Sequence, residues 1–316
     1  MKDINKEIEK LNWNREPKGL YEPIGYTLEA GGKRLRPTLA LLGAAVFGGK
    51  DEDVLPAALA LEVFHNYTLL HDDVMDRSDV RRGRTTVWRK WDENTAILSG
   101  DQMMIESYGL LAGVPAEKLQ KVLRLFVKMG TEICEGQQYD VDFESRNDVT
   151  IAEYMEMIRL KTSVLLATAL QIGAYIAGAN DEEQQALYTF GEQIGLAFQL
   201  QDDILDVYGD AATFGKPIGG DICCNKKTYM LLTALAKAEG ETLELLDAWI
   251  RRTEFDRAEK IAAVTDIYTR LGVRADAEQM MRRCTDRALK ALSLVPQNEY
   301  TDLLRQLADK LLNRNN

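Results

Sequence analysis

Apolar residues recur along most of the chain with the period of an α-helix. Three long segments, rich in Ala, Leu, Glu, Gln and Met, show this period most clearly: "VLPAALALEVFHNYTLLHDDVMD", "TIAEYMEMIRLKTSVLLATALQIGAYIAGA" and "EQQALYTFGEQIGLAFQLQDDILDVYGD". The seven prolines fall near segment edges, where helices begin or end. No stretch alternates convincingly as a strand, and no low-complexity linker divides the chain. The pattern predicts an all-α bundle of many helices, forming a single domain over residues 1–316.

One short pattern occurs twice, each time at the end of a long apolar helical segment. "HDDVMD" at residues 71–76 returns as "QDDILD" at residues 201–206, and both have the form D-D-x-x-D. Residues i and i+4 share a helix face, so Asp72 and Asp76 point the same way, as do Asp202 and Asp206. Two carboxylates about 4 Å apart repel by roughly 4 kcal/mol at an effective dielectric near 20. Carboxylate oxygens suit Mg²⁺, which also bridges to substrate phosphates.

Two basic motifs supply the cations that a diphosphate would need. "GGKRLRP" at residues 31–37 places Lys33, Arg34 and Arg36 behind two glycines, and "RRGR" at residues 81–84 follows the first acidic motif. Each motif alone is typical of a solvated surface. Together with two D-D-x-x-D helices they favour a site that binds diphosphates through metal ions.

Composition narrows the class of partner and the cellular compartment. The chain has 316 residues, 46% of them hydrophobic, and a net charge of −11, which argues against a general nucleic-acid binder. Its four cysteines have no C-x-x-C spacing and only two histidines accompany them, so a structural zinc site is not expected. The charged N-terminal stretch has no apolar signal core. We expect a cytoplasmic protein with no stable membrane insertion.

Several polar residues upstream of the acidic motifs allow two interpretations. His65 and Thr68 fall near the Asp72 stripe of their helix, and Gln199 lies roughly one turn before Asp202. Lys161 and Thr162 interrupt the apolar run "MIRLKTSVLL". Each could be structural, since a lysine can extend to water and a lone histidine is often a hydrogen-bonded core residue. The alternative is that they meet an anion.

These residues together resemble the trans-isoprenyl diphosphate synthases, also called polyprenyl synthetases. Eight motifs match in order over nearly the whole chain: "GGKRLRP", "FHNYTLLHDDVMD", "RRGRTT", "EGQQYD", "KTS", "FQLQDDILD", "GKPIGGD" and "KKTY". The resemblance implies an all-α homodimer with a deep central cavity between its helices. It also implies a magnesium-dependent trans-prenyltransferase that joins isopentenyl diphosphate to an allylic diphosphate, with about three Mg²⁺ ions per active site.

Site roles carry over from the family position by position. The metal ligands would be Asp72, Asp76 and Asp202, supported by Asp73, Asp203 and Asp206. The allylic diphosphate would be held by Arg81, Lys161, Thr162, Gln199, Lys216 and Lys226, of which the first five would also act in catalysis. Isopentenyl diphosphate would be held by Gly32, Lys33, Arg36, His65 and Arg82. Lys227 adjoins Lys226, so either of the two could reach the phosphate.

Two related functions compete with chain elongation. A class I terpene cyclase shares the first acidic motif, but usually carries a different second metal motif and lacks the isopentenyl site. A non-catalytic partner subunit of a heteromeric synthase commonly loses one acidic motif. This chain has "QDDILD" as well as "GGKRLRP", which favours the chain-elongating enzyme.

Product length in this family depends on side-chain bulk just before the first acidic motif. Phe64, Tyr67 and Thr68 occupy that stretch, with an aromatic residue five positions before Asp72 and a small residue four positions before it. This resembles the geranylgeranyl (C20) pattern, with farnesyl (C15) as the alternative and C25 as a further one. On an ideal helix Tyr67 lies about 140° from Asp72, so Ser107 or Tyr108 on another helix could set the depth instead.

Overall fold

The computed structural model describes residues 2–209 and 218–312, and these are overwhelmingly helical, as predicted. The helices before the second acidic motif are α1 Ile4–Glu9, α2 Lys18–Glu29, α3 Leu35–Ala45, α4 Asp51–Met75, α5 Val87–Lys90, α6 Glu93–Leu111, α7 Ala116–Ser145, α8 Ile151–Ile158 and α9 Val164–Ile176. The remaining helices are α10 Asp181–Tyr208, α11 Gly220–Cys223, α12 Tyr229–Lys237, α13 Gly240–Arg251, α14 Arg257–Arg270, α15 Val273–Leu292 and α16 Glu299–Leu312. The prediction of an all-α fold is confirmed.

Local sequence explains where several of these helices begin. The α4 helix opens with three acidic residues in its first turn, which interact favourably with the helix dipole. The Asp92 side chain accepts a hydrogen bond from the backbone N–H of Thr95 and caps α6. At α8, Thr150 and Glu153 form a capping box in which each side chain accepts from the other residue's backbone N–H.

Residues 1–128, 168–188 and 295–301 form one compact unit. Within it α4 packs mainly on α6 and α3, around fully buried side chains such as Leu41, Leu61 and Met103. The α3 and α9 backbones approach closely, because a Cβ at Gly43 would lie 2.5 Å from the Leu170 carbonyl oxygen. A long apolar α4 therefore ends in the first acidic motif on a well-packed support.

Residues 129–167, 189–294 and 302–316 form a second compact unit. Its interior contains apolar residues of α12 to α15, among them Leu246, Ile267, Val273 and Leu292. The second acidic motif belongs to this unit, at the end of α10. The single domain over residues 1–316 stays a prediction.

One small β-hairpin departs from the expectation of helices alone. Strands β1 Val80–Arg81 and β2 Arg84–Thr85 pair antiparallel, and the residues between them, Arg82 and Gly83, have φ of 52° and 74°. Positive φ at both central residues is the geometry of a type I′ turn, which suits a two-residue hairpin loop. Strand alternation cannot reveal so short an element.

Across residues 2–209 and 218–312 we also found no helix long and apolar enough to cross a membrane.

Candidate active site

In the first unit, the loop between α2 and α3 and the β-hairpin meet at a glycine. Gly31 and Gly32 have φ of 72° and 132°, and a Cβ on Gly32 would lie 3.1–3.3 Å from the Arg82 guanidinium. Arg82 donates to the Gly31 carbonyl at 2.5 Å and to Asn66 Oδ1 at 3.3 Å. A side chain at Gly32 would press on Arg82, so the glycine lets the two basic motifs come together.

The three cations of "GGKRLRP" have different environments. Arg34 is buried, donates to Glu62 Oε1 at 2.7 Å and to the Leu28 carbonyl at 2.6 Å, and therefore holds the fold together. Lys33 is exposed, and Arg36 is half-buried with its Nε lacking a hydrogen-bond partner among the described residues. Lys33 and Arg36 are the two that the family resemblance assigns to isopentenyl diphosphate.

Positive charge dominates the surroundings of His65. Burial lowers the pKa of the His65 imidazole well below its ordinary value, and the nearby guanidinium groups of Arg36, Arg82 and Arg81 lower it further. Burial also lowers the pKa of Arg36 to about 10, with Arg82 adding to the effect and Glu62 opposing it. Cations gathered around one buried glutamate form a ready site for an anion.

The first acidic motif ends α4 next to this positive region. Asp73 is buried and accepts from Arg81 Nε at 2.7 Å. Burial raises the pKa of Asp73, and the neighbouring carboxylates Asp72 and Asp76 act in the same direction, while Arg81 opposes them. Asp72 is half-buried and Asp76 is exposed at the C-terminal end of the helix. The middle aspartate thus anchors Arg81, and the outer two are the better candidates for a metal ion.

Aromatic side chains cluster below the first acidic motif. Phe64 makes edge-to-face contacts with Tyr67 and with Phe126 of α7, at centroid distances of 5.1 and 5.2 Å. Tyr108 of α6 contacts the same Phe126 at 5.3 Å, and Tyr67 also contacts His71 at 4.9 Å. Thr68 Oγ1 donates to the His65 carbonyl, which ties that small side chain to its own helix. Of the three residues considered from sequence as floors, Tyr67 and Tyr108 belong to this cluster, whereas Ser107 is buried and its hydroxyl donates to the Met104 carbonyl at 2.6 Å.

The second unit contains a cavity of about 400 Å³ that collects most of the remaining predicted residues. The predicted residues in its lining are Lys161, Thr162, Gln199, Asp202, Asp203, Asp206 and Lys226. Lys216 lies outside the described residues. Arg81, also predicted for the allylic diphosphate, belongs to the first unit, where it is paired with Asp73.

Lys161 and Thr162 lie in a π-helical turn, Arg159–Ser163, between α8 and α9. Two glycines make room for this turn. A Cβ on Gly136 of α7 would collide with the backbone of Lys161, and a Cβ on Gly195 of α10 would lie 2.7 Å from Ser163 Oγ. Single π-helical turns inside longer helices occur frequently at functional sites. Helical periodicity alone cannot reveal the extra residue.

Asp140, which the sequence interpretation did not single out, joins the two cavity lysines. Its Oδ2 lies 2.6 Å from Lys161 Nζ and 3.6 Å from Lys226 Nζ. Although burial opposes the effect, Lys226 and Lys161 together hold the pKa of the Asp140 carboxyl below its usual value. Asp140 is the last residue of "EGQQYD", one of the eight motifs that match the family, so its place in that motif was the sequence signal for it. Tyr154, Asp221 and Arg257 also line the cavity and were not predicted.

In the second acidic motif, the two later aspartates are held by neutral donors. Asp203 accepts hydrogen bonds from the Tyr154 hydroxyl, from Gln199 Nε2 at 3.3 Å and from the Tyr229 backbone N–H at 3.3 Å. Burial, reinforced by the nearby Asp221 carboxylate, raises the pKa of Asp203 to about 7.

Asp206 accepts from the backbone N–H groups of Gly220 and Asp221 at 3.2 and 3.1 Å. It thereby fixes the start of α11 while it also lines the cavity. Asp202 is half-buried and lines the cavity.

The donor set fits Mg²⁺ shared with a diphosphate better than a metal cage made by protein alone. Within residues 2–209 and 218–312 no group of three His, Cys, Asp or Glu side chains could hold an ion by itself. The cavity lining nevertheless includes five carboxylates, Asp140 and Asp221 with the three of the motif. Mg²⁺ usually takes one or two carboxylates, several waters and substrate phosphate oxygens, and this lining offers the hard oxygen ligands that it requires.

Comparison with known proteins agrees with the motifs. The polyprenyl synthetase family model matches residues 17–268. The chain is 38% identical to a geranylgeranyl diphosphate synthase of Methanosarcina mazei, over 98% of this chain and 94% of that one. It is 39% identical to a geranylfarnesyl diphosphate synthase of Natronomonas pharaonis, with the same coverage. A crystal structure of a geranylgeranyl pyrophosphate synthase superposes with a TM-score of 0.92, at 41% identity over 100% of both chains.

The chain therefore belongs to the polyprenyl synthetase family. It is an enzyme of the prenyl diphosphate synthase type, a transferase, as the resemblance implied. The prediction of the family and that of the enzyme class are both confirmed.

Proposed function

We propose that this protein is a short-chain trans-prenyltransferase that condenses isopentenyl diphosphate with dimethylallyl, geranyl or farnesyl diphosphate. Geranylgeranyl diphosphate (C20) is its proposed main product. The observation that carries the proposal is the pairing of Lys161 and Lys226 around Asp140 in a cavity that also holds the second acidic motif. Such a lining suits a metal-bound diphosphate leaving group.

The proposed roles follow from charge and position. Lys161 and Lys226 bind the allylic diphosphate and stabilise the pyrophosphate that departs from it. Thr162 and Gln199 direct dipoles toward the allylic carbon as positive charge develops there. Asp72, Asp76 and Asp202 would hold Mg²⁺, which when bound would neutralise charge on the leaving group.

Isopentenyl diphosphate has its own proposed site in the first unit. Lys33, Arg36 and Arg82 bind its diphosphate, with His65 beside them and the open backbone at Gly32 allowing close approach. The double bond of this substrate attacks the allylic cation, and the released pyrophosphate then takes one proton from the condensed cation, which restores a double bond and completes the new chain. The positive charge around Glu62 supports this assignment. Arg34, Arg36 and Arg82 lie near this one buried glutamate, so a bound diphosphate would add the negative charge that balances them.

The proposed C20 product rests on the aromatic cluster. Tyr67 and Thr68 fit the short-chain pattern, and the contacts of Tyr67 with Phe64 and His71 hold its ring near the first motif. C15 and C25 remain the alternatives, since relatives of similar identity are named for geranylgeranyl and for geranylfarnesyl products.

We also propose a homodimer. Several large apolar side chains are exposed on α6 and α7, including Leu98 at 58%, Ile105 at 60% and Val127 at 45%. Leu98 and Ile105 are seven residues apart and share a helix face, so they form an apolar stripe rather than scattered exposure. Sedimentation of the purified protein would test this, and I105E should shift it toward monomer.

Incubation with isopentenyl diphosphate, Mg²⁺ and each allylic primer in turn tests the activity, with products sized by mass spectrometry. Elongation that ends at C20 supports the proposal, and a longer product from Y67A but not from Y108A would identify Tyr67 as the floor. An end at C15 or C25 would keep the chemistry and discard the length assignment. Cyclic hydrocarbons would indicate a cyclase, and no turnover with any primer would indicate a non-catalytic subunit.

A further inference from the structure

Lys260, on α14, is the most deeply buried lysine in the described part of the chain, with 1% of its surface exposed. Its Nζ donates to Asn225 Oδ1 at 2.8 Å and approaches the Cys223 carbonyl oxygen at 3.5 Å. The same ammonium lies 4.2 Å from the centroid of the Phe255 ring. Burying an ammonium is unfavourable unless polar partners replace the water that it loses, so these contacts are needed to keep Lys260 in place.

The two oxygen acceptors of Lys260 belong to one short bend, residues 223–228, which begins at the last residue of α11. Asn225 has a left-handed backbone with φ of 52°, and its Nδ2 donates to the Ile250 carbonyl at 2.9 Å. Its side chain therefore links Lys260 on one side with the end of α13 on the other. The Cys223 carbonyl lies at the C-terminal end of α11, where a cation is favoured.

Lys226 is the next residue along this bend. Its backbone N–H donates to the Asp221 carbonyl at 2.9 Å, and the Thr228 N–H donates to the Lys226 carbonyl at 2.8 Å. The residues on either side of the bend are held by the second acidic motif: the Asp221 backbone N–H donates to Asp206, and the Tyr229 backbone N–H donates to Asp203. Lys260 binds Asn225 within the bend, and Asn225 directly precedes Lys226, the lysine that pairs with Asp140.

We infer that Lys260 is a positioning residue for the allylic diphosphate site, acting through Asn225 to hold Lys226 in the cavity. This inference rests on the function proposed above. Lys260 is absent from the residues that line the cavity and so need not touch substrate. A lysine suits the position because its several N–H donors can serve two oxygen acceptors at once, which an apolar side chain of similar length cannot do.

The test compares K260M with wild type in steady-state kinetics for each substrate. We expect the KM for the allylic diphosphate to rise by roughly five- to tenfold, because a small misplacement of Lys226 weakens diphosphate binding. The KM for isopentenyl diphosphate should not change. N225G, which removes the same acceptor while tolerating the positive φ, should reproduce the effect. The matched control is K237M, which removes an exposed lysine paired with Asp276 at 2.6 Å and should leave both KM values unchanged.

A double-mutant cycle then separates positioning from general destabilisation. In a K226A background, K260M should add no further rise in the allylic KM, because the residue through which it acts is gone. Additive effects, equal rises in both KM values, or an unchanged allylic KM in K260M would overturn the inference.

Amide hydrogen exchange gives a readout that does not depend on turnover. We expect faster exchange over residues 223–228 in K260M, and no change there in K237M. If wild type turns over no substrate, the proposed function fails, and exchange still decides whether Lys260 holds the bend. Unchanged exchange in K260M would refute the role of Lys260 whatever the enzyme activity.

Discussion

The two acidic motifs have the same spacing, but their middle aspartates have different partners. At the first, the middle aspartate, Asp73, is paired with the guanidinium of Arg81, and further arginines surround His65 nearby. At the second, the middle aspartate, Asp203, accepts hydrogen bonds from neutral donors. Burial, together with the nearby Asp221 carboxylate, raises the pKa of Asp203 to about 7. Repetition of a motif therefore does not repeat its chemistry, because residues distant in sequence supply the surroundings.

The last aspartates of the two motifs also differ, in their exposure and in their hydrogen bonds. Asp76 is exposed where α4 ends, whereas Asp206 is buried and accepts from the backbone N–H groups that begin α11. The first motif thus offers two outer carboxylates, Asp72 and Asp76, to a ligand. The second offers Asp202 and uses its other two to hold the bend that carries Lys226.

The largest expected effect tests the role given to Asp202. D202N should lower kcat/KM by at least about 100-fold and raise the Mg²⁺ concentration needed for half-maximal activity, because one metal ligand loses its charge. Kinetics over a Mg²⁺ titration would measure both quantities. The control is D266N, which removes a surface carboxylate that is paired with Arg270. A D202N enzyme with normal Mg²⁺ dependence would contradict the assignment.

The second prediction concerns the carboxylate shared by two lysines. D140N should reduce the free energy of unfolding by about 1–3 kcal/mol, since it leaves Lys161 and Lys226 without their common anionic partner. Inorganic pyrophosphate with Mg²⁺ should then raise the melting temperature of D140N more than that of wild type, because the added anion replaces the lost charge. Equal shifts in the two proteins would contradict the expectation that pyrophosphate replaces Asp140 as the anionic partner of the two lysines.

The third prediction follows from the lowered pKa of His65 in the positive region. Below its ordinary value of 6.5 the unfolded chain binds a proton that the folded chain does not, so stability falls as the pH decreases. The slope from one such proton is at most about 1.4 kcal/mol per pH unit. Chemical denaturation of wild type and H65Q between pH 7 and pH 5 would measure it. Wild type should lose more stability than H65Q as the pH falls from 7 to 5. A stability difference that stays constant over this range would contradict a lowered pKa for His65.

The smallest expected effect concerns the hairpin that presents Arg81 and Arg82. G83A should cost about 1 kcal/mol of stability, because alanine disfavours φ of 74° although nothing lies within 4 Å of its Cβ. The matched control is G109A in α6, where the space is also open but the backbone is helical. Alanine should stabilise that position by up to about 1 kcal/mol. Thermal or chemical denaturation of both variants should therefore give opposite signs.

The sequence was sufficient for the fold class, the family and seven of the residues that line the cavity. Helical period and D-D-x-x-D spacing are local properties, because side chains four residues apart share a face in any α-helix. Helical period relates Gln199 to Asp202, whereas Lys161 and Lys226 were assigned through the family resemblance, and all four line one cavity.

The remaining features depended on contacts between distant segments. The bridge from Asp140 to two lysines spans 21 and 86 residues of chain, and Lys260 reaches its partner across 35 residues. The π-helical turn at Lys161 depends on glycines of two other helices, since only their missing side chains leave room for it. Local patterns and the family resemblance thus predicted which residues bind metals and phosphates. Only tertiary packing decided their surroundings, because burial and neighbouring charges shift the pKa values of His65, Asp140 and Asp203.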